Sequence, residues 1–222
     1  MKLVRGLVDT GTRVISVVYG GLFAEIGLLA EHSSALLLAW QPGAHGGEAL
    51  VDLLFGDVNP AGRLPVELPA ASQASAFCFG YGMSYSNVEY ANLQCPESVD
   101  THGVLRLAFD VTNGCAIAAD EVVQVYAVGR VAKVRQRDLQ LIAFNRIHLE
   151  GGATRTCEFR IDPSQLAYFN EAMQLSVGAT QVQLRIGGSS ADVALQAVIR
   201  ITGPRRKLLQ RQIVAAQVTG PA

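Results

Sequence analysis

Charge is scarce in this 222-residue chain. Only 17% of its residues are Asp, Glu, Lys or Arg, and the formal net charge is -1. Such a balance gives no electrostatic footprint for nucleic acid or an anionic membrane surface, and neither is expected as a partner. Aromatic residues are also few, at 7%, and Trp40 is the single tryptophan. Long apolar runs are missing. Glu25, Glu31 and His32 interrupt the apolar region 14–40, which therefore falls short of the roughly 20 residues of a membrane span. Arg5, Asp9 and Arg13 occupy the place where a secretory leader has its apolar core. No small-residue cleavage site follows, so no signal peptide is expected.

The four cysteines, Cys78, Cys95, Cys115 and Cys157, form no CxxC pair. They are expected as reduced, buried small hydrophobes, although the count also permits two disulfides. His32, His45, His102 and His148 stand apart from one another, which leaves no metal-ligand spacing. No metal and no cofactor is expected. The Gly43-Ala-His-Gly-Gly47 corner lacks both the Lys-Ser/Thr of a P-loop and the GxGxxG spacing of a dinucleotide site. Gly82-Met-Ser-Tyr-Ser86 misses the G-x-S-x-G nucleophile elbow by one residue.

What is present falls into two patterns. Half of the residues are hydrophobic, enough for a packed core. Residues 1–76 read as part of an α/β domain. The β-branched run Arg13–Tyr19 and the apolar run Ser34–Trp40 are expected as buried strands. Ala49, Leu50, Leu53 and Leu54 recur at helical spacing, and Gly56 is placed to end that helix. Asn59-Pro-Ala-Gly62 reads as a turn, and Leu64–Pro69 as a short extended piece. Two or three parallel strands make a small sheet that leaves its own faces poorly covered.

Residues 77–87 read as a linking segment, and 88–203 as all-β. Strands are expected over 104–112, 121–128, 139–149, 155–161, 181–186 and 192–202, with Asn113-Gly114, Glu150-Gly-Gly152 and Gly187-Gly188 as turns. Alternation is clearest at Val182, Leu184 and Ile186 and from Val122 to Tyr126. Short strands at this spacing predict an antiparallel sandwich of immunoglobulin or fibronectin type. A helical turn is expected within 162–169, and 204–222 is expected as a separate tail, solvated or frayed helical, whose Arg205-Arg206-Lys207 cluster could alternatively touch an anionic partner. The fold class is thus an α/β fragment followed by an all-β sandwich.

Several separated motifs then resemble glycoside hydrolase family 3, the family of β-glucosidases and β-xylosidases. Trp40-Gln-Pro-Gly43, Gly46-Gly47 and Leu54-Phe-Gly-Asp-Val-Asn-Pro-Ala-Gly-Arg-Leu-Pro65 are similar to its second domain. Phe77-Cys-Phe-Gly-Tyr-Gly-Met-Ser-Tyr85 is similar to the segment leading out of that domain. Asp120–Tyr126 and Leu141–Leu149 resemble its fibronectin-III-like domain.

The resemblance implies a retaining hydrolase of terminal β-linked glucose or xylose. Its nucleophile lies on an N-terminal barrel, and its acid/base, where present in the second domain, lies upstream of the Trp40 loop. No position here corresponds to either, so no catalytic residue is assigned and the chain alone is expected to be inactive. The implied partners are a β-linked oligosaccharide or aryl glycoside, bound by the full enzyme, and a separate barrel domain.

Two further departures stand out: a short connection over 70–76, and His45 where the family more often has Glu or Gln. The family's Trp-Pro-Gly loop lies near the active-site mouth, which makes Trp40 and His45 candidates for sugar contact. Trp40 reads equally well as a core residue. Glu48 and Asp52, i,i+4 on the expected helix, read as a solvated face. The alternative reading is a non-catalytic β-sandwich that binds or scaffolds. Relatives are often periplasmic or secreted, but localisation stays open.

Overall fold

The computed structural model describes residues 2–21, 26–68, 77–128, 139–170, 172–212 and 215–219. The described chain is mostly strand, with three short α-helices and one 3-10 turn. It divides into two compact units, Met1–Val58 with Leu64–Tyr81, and Asn59–Arg63 with Gly82–Ala222. The short connection over 70–76 lies outside the described residues.

The first unit runs α1 (Lys2–Val8), β1 (Ile15–Tyr19), α2 (Ile26–His32), β2 (Ala35–Trp40) and α3 (Gly46–Phe55). β1 and β2 pair in parallel, from Ile15 opposite Ala35 to Tyr19 opposite Trp40. Their stiff β-branched and apolar side chains suit the pleat. The strands are nevertheless only half-buried. The fully buried set is small: Ile26, Leu64 and Leu68, with Val18, Leu36, Leu38 and Trp40 packed around it. Helix α3 leaves Phe55 80% and Val51 50% exposed.

Local chemistry explains the bounds of α3. A Cβ on Gly46 would lie 2.5 Å from Pro42 Cγ, so glycine lets the proline close onto the first turn. Gly56 has φ 85° and donates its N–H to the Asp52 carbonyl at 3.1 Å, the left-handed cap that glycine adopts without a Cβ penalty.

The second unit contains β3 (Val88–Gln94), β4 (Ser98–Asp100), β5 (Leu105–Asn113), β6 (Ala119–Val128), β7 (Gln140–Leu149) and β8 (Thr154–Ile161). It continues with β9 (Tyr168–Phe169), β10 (Leu175–Val177), β11 (Thr180–Gly187), β12 (Leu195–Thr202), β13 (Arg206–Lys207) and β14 (Ala215–Thr219). One sheet has the order β4-β12-β11-β6-β7, a second β14-β8-β5-β3, and a small third β13-β10-β9. Period-two burial joins the two larger sheets in one apolar cluster. Leu105, Leu107, Phe109 and Val111 of β5 and Phe159 and Ile161 of β8 are buried in it with Val123, Val125, Leu184, Ile186 and Ile199. The Phe109 and Phe159 rings stack at 5.9 Å.

The structure departs from the sequence reading in several places. On β6 the core positions are Val123, Val125 and Ala127, while Val122 is only half-buried. Gln124 and Tyr126 are buried as well, because the Tyr126 hydroxyl donates to Gln124 Oε1 at 2.5 Å and the Gln124 amide donates to the Gly188 carbonyl. Strand β12 starts at Leu195, since Ser189 Oγ accepts from the Asp192 N–H and folds 189–192 into a turn. The tail is no helix: β13 pairs with β10, and β14 pairs with β8. Arg206 is held 3.1 Å from Asp162. Cys95, Cys115 and Cys157 are free thiols, and of the four cysteines only Cys157 is buried while the other three are half-buried. Burial pushes the Cys157 thiol up to about 11.

Candidate functional site

The Trp40–Gly47 loop leaves the carboxyl end of the parallel pair β1/β2. Ligands of open parallel sheets are received at such ends. The loop begins with backbone strain. Trp40 has φ 51°, in the left-handed region, and the register shifts at Val18/Tyr19 opposite it. A bulky residue there is uncommon, and strain of this kind gathers at functional loops. The Trp40 carbonyl accepts the Gly20 N–H at 2.8 Å, which fixes the turn. The ring is half-buried and packs against the small apolar core, in line with the core reading of Trp40.

His45 is the residue before α3 and makes no side-chain cap. Its Nδ1 lies 3.0 Å from Glu48 Oε2, with both side chains at least 80% exposed. Glu48 is thus engaged in solvent by its own helix. Asp52 sits one turn later on the same helix. Retention requires two carboxyl groups about 5–5.5 Å apart across the scissile bond. Two carboxylates on one short solvated helix do not form such a cleft, and the structure gives no reason to assign them catalysis.

Sequence reading missed the polar cluster around Asn59 and Arg63. Asn59 Nδ2 donates to Ser86 Oγ at 2.8 Å and to the Ala118 carbonyl at 3.2 Å. Its Oδ1 accepts from Ser84 Oγ and the Tyr85 N–H, each at 2.9 Å. The amide's two donors and its acceptor are all used. The serines of Gly82–Ser86 thus tie a turn. Gly82 belongs to the same knot, because a Cβ there would lie 2.1 Å from the Gly62 carbonyl oxygen.

Next to it, Arg63 Nη2 lies 2.7 Å from Glu121 Oε2, with side-chain exposures of 10% and 4%. Tyr90 donates its hydroxyl to Glu121 Oε1 at 2.9 Å. Burial, and then the Glu121 charge, holds the Tyr90 phenol well above its usual range. The available signal was a glutamate at an inward position of a largely apolar strand.

A second polar group lies on the exposed side of β6 and β7. His148 Nδ1 is 2.7 Å from Asp120 Oδ1, and Arg146 also bonds Asp120. The hydrogen bond to Asp120, then that to Glu150, raises the His148 pKa. Slight burial works to raise the Asp120 pKa, but bonds from His148 and Arg146 pull it below the usual range. Among the described residues no three His, Cys, Asp or Glu side chains come together as a metal site. No described helix is long and apolar enough to cross a membrane.

Residues 1–85 match the model of the glycosyl hydrolase family 3 C-terminal domain, and residues 121–190 that of the fibronectin type III-like domain. Over residues 1–85 the chain is thus similar to glycoside hydrolase family 3. A β-xylosidase of Formosa agariphila is 28% identical over 89% of this chain, and a β-glucosidase of Rhizobium radiobacter is 29% identical over 90%. The chain spans 31% and 29% of those two relatives. Among solved structures, a Kluyveromyces marxianus β-glucosidase superposes with a TM-score of 0.82 at 25% identity, covering 93% of this chain and 28% of that one. A Thermotoga neapolitana β-glucosidase 3B in complex with glucose gives 0.81 at 24% identity, covering 92% and 33%.

Proposed function

We propose that this chain supplies the C-terminal, non-catalytic part of a β-glycosidase that releases terminal β-linked glucose or xylose with retention. In this reading an α/β piece (1–76) and a linking segment (77–87) precede a fibronectin-III-like sandwich (88–203), with 204–222 following. A barrel domain supplies the nucleophile. The Trp40 loop faces the sugar, with Trp40 and His45 as its contacts. The supporting observation is the strained Trp40 turn at the carboxyl end of a parallel strand pair, in a chain that matches a family 3 C-terminal domain model and then a fibronectin type III-like domain model.

The test is a chimera. Residues 1–222 replace the matching C-terminal third of the Rhizobium radiobacter β-glucosidase. Hydrolysis of an aryl β-glucoside is expected, with KM raised severalfold by Trp40→Ala. A folded chimera without turnover contradicts the proposal.

A further inference from the structure

The four-stranded sheet carries a hollow of about 390 Å³ on the face away from the core, lined among others by Gln94, Cys95, Arg106, Ala108, Glu158 and Arg160. The alternation places it there: Arg106, Glu158 and Arg160 are exposed, whereas the intervening Leu107 and Phe159 are buried.

Three features show that the hollow is built. Arg106 and Arg160 are direct cross-strand partners in the β5/β8 ladder. Like charges so placed cost stability. Among the described residues neither guanidinium has an ion pair: Asp110, four residues from Arg106 on β5, is already bonded by Asn92 Nδ2 at 2.8 Å and Thr156 Oγ1 at 2.7 Å. A β-bulge between Ala91 and Gln94, with Asn92 at φ 55°, swings Gln94 opposite Ala108. Bulges re-aim side chains in this way. Ala108, between Gln94 on β3 and Glu158 on β8, leaves the floor low beside the two long arginines.

We propose that this hollow binds the carboxylate-bearing sugar unit of an acidic polysaccharide. Paired guanidinium groups match the carboxylate. The Glu158 carboxylate accepts from a sugar hydroxyl, and Gln94 both donates and accepts, which a bare anion would not use. A hollow of this size admits one or two sugar rings. The inference rests on the sheet alone and not on the glycosidase reading.

The test is calorimetric titration of the full chain with tetragalacturonate, with cellotetraose and with inorganic phosphate, each at low and high salt. Tetragalacturonate is expected to bind, more weakly at high salt, and at least about tenfold tighter than cellotetraose. R106Q/R160Q should lose at least about tenfold in affinity with an unfolding midpoint no lower than that of the unaltered chain. Ala108→Gln, which fills the floor but keeps both charges, should lose binding too. No binding of tetragalacturonate overturns the proposal. So does binding unaffected by these variants, or phosphate binding as tightly as the sugar acid.

Discussion

Arg63 and Glu121 stand 58 positions apart in sequence and 2.7 Å apart in space, in a site almost closed to water. The pair ties the Asn59–Arg63 turn to β6, and Tyr90 occupies the other carboxylate oxygen. Breaking one side of a buried pair leaves a bare charge, which costs roughly 3–5 kcal/mol. Arg63→Ala and Glu121→Ala should each lower unfolding free energy by about that amount in urea titrations, and the double variant by clearly less than the sum. Additive losses would show that the two charges do not depend on each other.

The same pair sets where the chain can be cut. A fragment of residues 88–222 contains Glu121 without Arg63. A fragment of residues 59–222 retains the pair. The longer piece should be the more stable by a few kcal/mol, read as a higher urea midpoint at equal slope. Equal midpoints would remove the turn from the second unit's stability.

The first unit buries little. Phe55, Tyr19, Ile15 and Val51 are each at least half exposed, and exposed apolar patches drive association. Residues 1–85 alone should self-associate in light scattering. A monodisperse, soluble fragment would contradict this.

How much of this was legible in the sequence depends on distance along the chain. Helix α3 was readable because its determinants are local: Gly46 beneath Pro42, leucines at helical spacing and Gly56 at the cap. Strand β11 was readable because Val182, Leu184 and Ile186 face one core. The Arg63–Glu121 pair, the Asn59 knot and the pairing of β13 and β14 join residues tens of positions apart. No periodicity encodes such partners. The arginine hollow was hidden for the same reason, since Arg106 and Arg160 meet only through the β5/β8 register.

His148 provides a pH signature. Asp120 and Glu150 favour its imidazolium, so its folded-state pKa exceeds the ordinary 6.5. The stability it contributes is fully present below 6.5 and disappears as pH rises through the higher folded-state value. The effect is small because the side chain is 55% exposed. NMR titration should place the His148 midpoint above 6.5 and return it toward that value in Asp120→Asn. An unchanged midpoint in the variant would assign the shift elsewhere.

The most direct measurement of the central claim is hydrolysis of aryl β-glucosides and β-xylosides by purified residues 1–222. Glu48 and Asp52, the carboxylates nearest the Trp40 loop in sequence, share one solvated helix and make no catalytic cleft, so no turnover is predicted. Turnover that follows the protein through two separations and survives Glu48→Gln would contradict the account and place a catalytic pair within this chain.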